Sequence, residues 1–365
     1  MEKQDMQAFE YIASPSKVIF GSGVISKLPS ELTRQNLSRA LLITGPRGAS
    51  QVNPIIELLG SKLAGTFSHA AQHTPLSVTN TALRYASSLS PSIDSIVSFG
   101  GGSAVGLGKA LSVRLEIPHI CIVTTYSGSE MTSLVGETGE DGVKRTRSDP
   151  RILPGCVFYD VDFTVGMGVA MSAVSGVNAI AHAVEALYAR NTNPIVALIA
   201  KEGVKALAKA LPEIVEDPTS PSARWNALYG AWLCGYVLGS VSVGLHHKLC
   251  HTIGGSFNMP HAETHTIVLP HALSYNAPAV PKAMKELVEV LPGSDGDAIK
   301  GLNVLLSKLK VKRALKDFGM KEEDIDRAAE IATMNPYWNP REIEKRPLRE
   351  IIRRCWAGED ARADL

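Results

Sequence analysis

Residues 96–110 read Ile96-Val97-Ser98-Phe99-Gly100-Gly101-Gly102-Ser103-Ala104-Val105-Gly106-Leu107-Gly108-Lys109-Ala110. An apolar strand feeds three consecutive glycines, and the glycines open a helix. Glycine lets backbone N–H groups approach a phosphate closely. The helix start adds unpaired donors and the positive end of the helix dipole, so a diphosphate is well placed at Gly101, Gly102 and Ser103. The spacing departs from GxGxxG, and a tight strand-to-helix turn with no ligand is the competing reading.

Working outward, the neighbouring segments repeat the alternation. Lys17–Phe20 (KVIF), Ala40–Thr44 (ALLIT), His119–Val123 (HICIV) and Cys156–Tyr159 (CVFY) are short apolar runs with turn signals at their ends. Pro54–Leu63 and Thr81–Leu89 read as helices between them. Such alternation predicts a parallel sheet with helices on both faces. After Asp162 the texture changes to long stretches with helical spacing: Met171–Ala189, Pro194–Ala210, Ser222–Ser240, Leu302–Phe318 and Lys321–Ala332. The expectation is an α/β dinucleotide-binding domain over residues 1–162 and an all-α helical domain over 163–365. A chain of 365 residues exceeds the roughly 250–300 that one core supports.

Ligands of open α/β sheets bind beyond the carboxyl ends of the strands. That rule nominates Gly45, after the second strand, and Thr124, Thr125, Ser127 and Thr132, in the hydroxyl-rich run after His119–Val123. An ordinary Ser/Thr loop is the alternative there. No Asp or Glu follows Ala40–Thr44 to bind a ribose 2′-hydroxyl, and Arg47 can tolerate a 2′-phosphate. Both NADH and NADPH are therefore expected as cofactors.

Seven of the ten histidines lie at 182 or within 246–271. Asn178 and His182 are four apart, as are His247 and His251, so each pair shares a helix face. His246, His261, His265, His271 and Lys248 complete the set. Three readings compete: a divalent metal site, a site that binds an anionic substrate and relays protons, or buried imidazoles bonded to carbonyls. Formal net charge is +1, which argues against a nucleic-acid surface. No apolar run is long enough to span a bilayer, and the polar N-terminus has no secretory core. The five scattered cysteines include no CxxC pair, which fits a reduced, cytoplasmic protein.

Three stretches together, FGGGSAVGLGKA, TTYSGSEMT and GLHHKLCHTIGGSFNMPHAETHTIVLPH, resemble the iron-containing alcohol dehydrogenase superfamily and, within it, the maleylacetate reductases. SGVNAIAHAVEALYA and NPYWNPR are similar to the same subfamily. The resemblance covers nearly the whole chain. It implies a cleft between the two domains, a homodimer, and NAD(P)H-dependent reduction of 2-maleylacetate, a small dicarboxylate, to 3-oxoadipate in aromatic-ring breakdown. Metal-dependent members use one Asp and three His, and the matching positions here are Asn178, His182, His247 and His261. The amide brings no charge to offset a cation, so a degenerate site and a metal-independent reaction are expected. Carried onto that reaction, His251 is the main proton donor with Tyr337 as its helper. His247 is placed with them, His182, Asn178, His246 and His261 line the pocket, and Lys248 and Arg341 hold the carboxylates. The rivals are a reductase of another enone, ketone or aldehyde, a dehydroquinate synthase-like lyase, and an inactive binding protein.

Overall fold

The computed structural model describes residues 9–46 and 48–365. The first half alternates strands and helices: β1 Lys17–Gly21, α1 Leu28–Arg34, β2 Ala40–Thr44, α2 Asn53–Leu59, β3 Leu63–Phe67, α3 Leu76–Ser88, β4 Ser95–Gly100, α4 Gly102–Leu115 and β5 His119–Val123. A hairpin of β6 Leu134–Thr138 and β7 Lys144–Ser148 follows, and then β8 Cys156–Asp160. Six strands form one parallel sheet in the order β1-β8-β5-β4-β2-β3, and β6 and β7 pair antiparallel on their own.

Side-chain alternation explains why β2 reads as continuously apolar. Leu42 packs with Leu28, Leu32 and Ile55 of α1 and α2. Leu41 and Ile43 point the other way, into Ala82, Ala104, Leu107 and Leu111 of α3 and α4. With both faces covered, no position on the strand is polar by necessity. The helix after β2 and the helix after β4 thus lie on opposite faces. The carboxyl edge of the sheet between them is where such folds take their ligands.

The rest is helical: α5 Asp162–Val165, α6 Val169–Tyr188, α7 Pro194–Glu216, α8 Pro221–Ser240, α9 Leu245–Phe257, α10 His261–Asn276, α11 Pro281–Val288, α12 Ala298–Lys308, α13 Asp324–Thr333 and α14 Lys345–Ala357. The change from strand to helix falls between Asp160 and Asp162. Local chemistry sets several starts. Asn193 accepts from the N–H groups of Ile195 and Val196 ahead of Pro194, and Asp297 accepts from those of Ile299 and Lys300. α6 has the length and hydropathy of a membrane span, but 83% of that window is buried inside the protein. It is the core helix of the second domain, packed against α7, α8 and α10.

Four sequence expectations are corrected. The helix expected over Pro54–Leu63 ends at Leu59, before Gly60 with φ +48°, and Leu63 begins an edge strand. That strand, Leu-Ala-Gly-Thr-Phe, is only half-buried and lacks an apolar run. The hairpin was not expected, because Lys-Arg-Thr-Arg-Ser in β7 is wholly exposed and carries no hydrophobic pattern. α3 begins at Leu76 rather than Thr81. The helix expected over Leu302–Phe318 breaks after Lys308, where Lys310 turns left-handed at φ +53° and only a short 3-10 turn, Leu315–Phe318, follows.

Candidate active site

The glycine loop stands at the carboxyl edge of β4. Thr44 pairs with Phe99 and Gly100 with Val123, so Gly45, Gly101 and Thr124 follow three adjacent strands at one level. Gly100 has φ +144°, which favours glycine. A Cβ on Gly101 would fall 2.7 Å from Oγ1 of Thr125. Gly101 precedes α4 with no side chain capping it, so the helix presents bare N–H donors at partly exposed residues. That arrangement fits a diphosphate. Thr124, Thr125 and Ser127 are partly exposed beside it.

Thr132 is a correction. It is buried, its hydroxyl donates to the Ser129 carbonyl, and it accepts from Nζ of Lys109. Lys109 is the residue that the motif hid. Its ammonium is buried on α4 and bonded to the carbonyls of Ser129, Thr132 (2.7 Å) and Leu134 (2.9 Å) as well as to Oγ1 of Thr132 (2.9 Å). A buried ammonium is tolerable only when so surrounded. It ties the dinucleotide helix to the loop that crosses to the second domain. Arg47 lies outside the described residues.

That loop meets the histidines directly. Gly128, with φ +75°, packs so closely that a Cβ there would lie 3.0 Å from Cα of Gly235 and 3.3 Å from Nδ1 of His182. The Tyr126 N–H donates to Oγ of Ser175 on α6 at 3.2 Å. Gly102, Ser127, Gly128 and His182 therefore form one continuous wall from the glycine turn to the imidazoles.

α6, α9 and α10 hold the cluster. α9 ends at Asn258 in the left-handed region, and Pro260 starts α10, so the two helices fold back on each other. The ring centroids of His182 and His247 are 5.3 Å apart, those of His247 and His265 5.1 Å, and those of His261 and His265 4.2 Å. Glu185, one turn beyond His182 on α6, organises this packing. Its carboxylate accepts from Nδ1 of His247 at 2.6 Å and from the N–H groups of Gly244 (2.9 Å) and His246 (2.7 Å), which caps α9 from another helix. Burial pushes the carboxyl up, but the neighbouring His247 and His246 and the N–H donors outweigh it and hold it at about 2. Sequence reasoning did not nominate Glu185. The signal was available: Asn178, His182 and Glu185 at spacings of four and three lie on one helix face.

His251 and His261 reach water, whereas His182 and His247 are nearly buried and His246 and His265 are fully so. Nδ1 of His251 lies 3.1 Å from the Tyr337 hydroxyl, and Nζ of Lys248 lies 5.6 Å from the centroid of the Tyr337 ring. The loop carrying Tyr337 is pinned by a reciprocal amide pair between Asn339 and Asn276. Burial, then the neighbouring His247, lowers the His251 pKa, so the ring is neutral at pH 7. Two nominations are corrected here. Arg341 donates through Nη1 to the carbonyls of Tyr275 (2.8 Å) and Leu365 (2.9 Å) and stacks on the Tyr275 ring, so it braces the C-terminus. His246 turns inward, with Nε2 3.0 Å from the His265 carbonyl, and packs the hairpin rather than lining the pocket. His271, also on α10, is buried, and burial, then Arg313, holds its pKa at about 4.

The chain matches the profile "Iron-containing alcohol dehydrogenase" over residues 15–161 and the profile "Fe-containing alcohol dehydrogenase family, C-terminal" over residues 172–356. It is 47% identical to maleylacetate reductase of Sphingobium indicum, over 96% of this chain and 98% of that one. It is 45% identical to maleylacetate reductase of Rhizobium sp., over 97% and 99%. The chain belongs to the iron-containing alcohol dehydrogenase family. It is an oxidoreductase of that family, and its fold superposes on the crystal structure of maleylacetate reductase from Agrobacterium tumefaciens with a TM-score of 0.92, at 45% identity over 97% of this chain and 100% of that one.

The family name raises the question of a metal. Oδ1 of Asn178, Nδ1 of His182 and both ring nitrogens of His265 are buried without a protein partner, so something polar belongs among them. The donor set lacks the carboxylate charge that commonly offsets a divalent cation. Asn178 contributes no charge, and the Glu185 carboxylate is engaged by His247 and two N–H groups. His246, His247 and His265 offer ring nitrogens within 4.8 Å of one another; Nε2 of His246 faces the His265 carbonyl and Nδ1 of His247 faces Glu185, so each ring keeps its other nitrogen for a guest.

Proposed function

We propose that the protein reduces the carbon–carbon double bond of 2-maleylacetate to give 3-oxoadipate, consuming NADH or NADPH without a metal. The observation that supports this reading is the close approach of Gly128 to His182, which brings the loop beyond the glycine turn beside the imidazoles. The near-full-length kinship to maleylacetate reductases supplies the substrate class. Free, buried cysteines agree with a cytoplasmic enzyme, and we take it to be a homodimer.

Gly101, Gly102 and Ser103 would hold the diphosphate of a nicotinamide cofactor, which when bound would supply the hydride for the carbon β to the ketone. The protein must then stabilise an enolate oxygen and deliver a proton to the α carbon. His251 is placed for this. With Tyr337 donating to Nδ1, the ring proton resides on Nε2, available to the enolate. Tyr337 in turn can replenish the proton. Burial, then Glu185, raises the Tyr337 pKa, so it stays a donor throughout the neutral range. Lys248 brings positive charge toward a substrate carboxylate. His247, oriented by Glu185, and His182 form the floor.

The test is oxidation of NADH and NADPH in the presence of maleylacetate, with a panel of ketones and aldehydes beside it. Stoichiometric cofactor loss with maleylacetate, and little with simple ketones, is expected. Turnover without net cofactor loss points to a lyase. A preference above about 1000-fold for NADH, roughly 4 kcal/mol of discrimination, contradicts dual cofactor use.

A further inference from the structure

We infer that Asn339 is the positioning residue that sets the Tyr337 hydroxyl on Nδ1 of His251, by docking the loop that carries the tyrosine onto the end of α10. This inference rests on the proposed roles of His251 and Tyr337 in the reduction.

Burial does not place Tyr337. Residues 334–338, which follow α13, are exposed one after another. Tyr337 itself keeps 36% of its surface in water and Trp338 keeps 41%. Asn335 turns left-handed at φ +49°, and Pro336 follows, so no helix or strand carries the segment. Exposed loops with few buried contacts are ordinarily the least stable parts of a fold. Yet the hydroxyl lies 3.1 Å from the His251 ring. The placement has to come from the residues just after it.

Asn339 supplies it. Its Oδ1 accepts from Nδ2 of Asn276 at 2.9 Å, and its Nδ2 donates to Oδ1 of Asn276 at 2.7 Å and to the Arg341 carbonyl at 2.7 Å. Each amide gives the other one donor and one acceptor, which fixes direction as well as distance. Asn276 is fully buried and is the last residue of α10, the helix that carries His261 and His265. The pair therefore refers the tyrosine to the same rigid element as the imidazoles. Arg341 holds the next stretch. Its guanidinium lies 4.1 Å from the centroid of the Tyr275 ring and donates to the Tyr275 carbonyl at 2.8 Å. The Tyr275 hydroxyl in turn donates to the Glu342 carbonyl and accepts from the Glu344 N–H at 3.3 Å.

Gly244 shows how closely the loop is seated. Its φ of −124° lies outside the left-handed region, so backbone conformation does not demand glycine there. Space does. A Cβ would fall 3.3 Å from the Trp338 carbonyl oxygen, 3.6 Å from Oδ1 of Asn339 and 3.2 Å from Oε1 of Glu185. The loop of Tyr337 and the carboxylate that orients His247 both press on this one residue at the start of α9. The two hydrogen bonds, Tyr337 to His251 and Glu185 to His247, are thus set from one place.

A double-mutant cycle on the full-length protein tests this. Asn339→Ala should lower kcat about 10–100-fold, the scale of a misplaced catalytic group, and leave KM for NADPH within about twofold. In a Tyr337→Phe background no hydroxyl is left to place. The same substitution should there change kcat by less than about twofold, while the fall in Tm is the same in both backgrounds. A purely structural asparagine lowers kcat equally in both, and that result overturns the inference. Should Asn339→Ala fail to fold, Arg341→Lys, which keeps the charge and loses the planar fork, enters the same cycle under the same criterion. A second measurement needs no substrate. In protein carrying 15N-labelled histidine, the His251 ring, assigned by its loss in His251→Gln, should have its proton on Nε2 and accept at Nδ1 at pH 7. Asn339→Ala and Tyr337→Phe should both move it toward the Nδ1–H form. A ring spectrum that Asn339→Ala leaves unchanged overturns the inference. If the wild type does not turn over maleylacetate, the proposed function fails by itself, and the ring spectrum still decides on Asn339.

Discussion

At the residue scale, the chemistry concentrates on two hydrogen bonds. The first joins His251 to Tyr337 across two segments far apart in sequence. Replacing His251 with Ala should lower kcat by at least ~100-fold, the usual scale for a general acid, with NADPH binding intact; a near-wild-type rate removes it from the mechanism. The second joins Glu185 to His247. Glu185→Gln keeps the shape but turns an NH2 group toward at least one of three N–H donors. The expected outcome is a loss of about 2–3 kcal/mol of stability from unpaired buried groups and about tenfold or more in kcat from a misoriented imidazole. Thermal unfolding and steady-state kinetics on the same variant check both. The histidines themselves were legible from spacing alone. Glu185 was overlooked because a lone acid in an alanine-rich helix looks like a solvated residue until its neighbours are known.

At the element scale, α6, α9 and α10 form a helical core built around neutral imidazoles, and this makes the fold sensitive to acid. Burial holds His246 at about 4 and pushes His182 and His265 well below their ordinary value. On the sheet, burial holds His119 at about 3. The unfolded chain protonates these rings near pH 6.5, before the folded protein does. Their contribution is therefore complete above pH 6.5 and is lost as pH falls toward the folded values. His246 and His119 alone should remove about 3 kcal/mol between pH 6.5 and pH 5. Tm measured at pH 7 and pH 5 should fall clearly, and a flat profile argues that the rings are hydrated or already charged. The sheet strands were readable as apolar runs, because burial on both faces leaves no other composition. β3, β6 and β7 were not, since edge and hairpin strands are held by backbone pairing and tethers that leave no hydrophobic period.

At the scale of the whole molecule, the two domains share a core rather than merely abut. Val105, Val123 and Tyr159 of the first domain pack in one cluster with Val177, Ile180 and Val184 of α6. The loop through Gly128 and Met131 is packed directly against Gly235 and Gly239 of α8. Within this family the degenerate position at Asn178 makes a definite prediction. Activity should survive exhaustive treatment with EDTA, and Fe²⁺ or Zn²⁺ should not raise it. Complete loss on chelation with recovery on adding either metal shows that a cation occupies the Asn178–His182–His247–His261 site after all.

The amino-acid sequence by itself determined the order of elements, the glycine turn and the faces on which the histidines stand, because each follows from local periodicity and from glycine's backbone freedom. Only the tertiary structure decided which of those groups are available for chemistry. His246, Thr132 and Arg341 are polar residues beside the right motifs, yet each is consumed by an internal partner, whereas Glu185 and Lys109 gain their roles from elements distant in the chain. The physical reason is that a polar side chain's function depends on which hydrogen bonds remain unmade after packing, and packing is a property of contacts between segments that no single segment encodes.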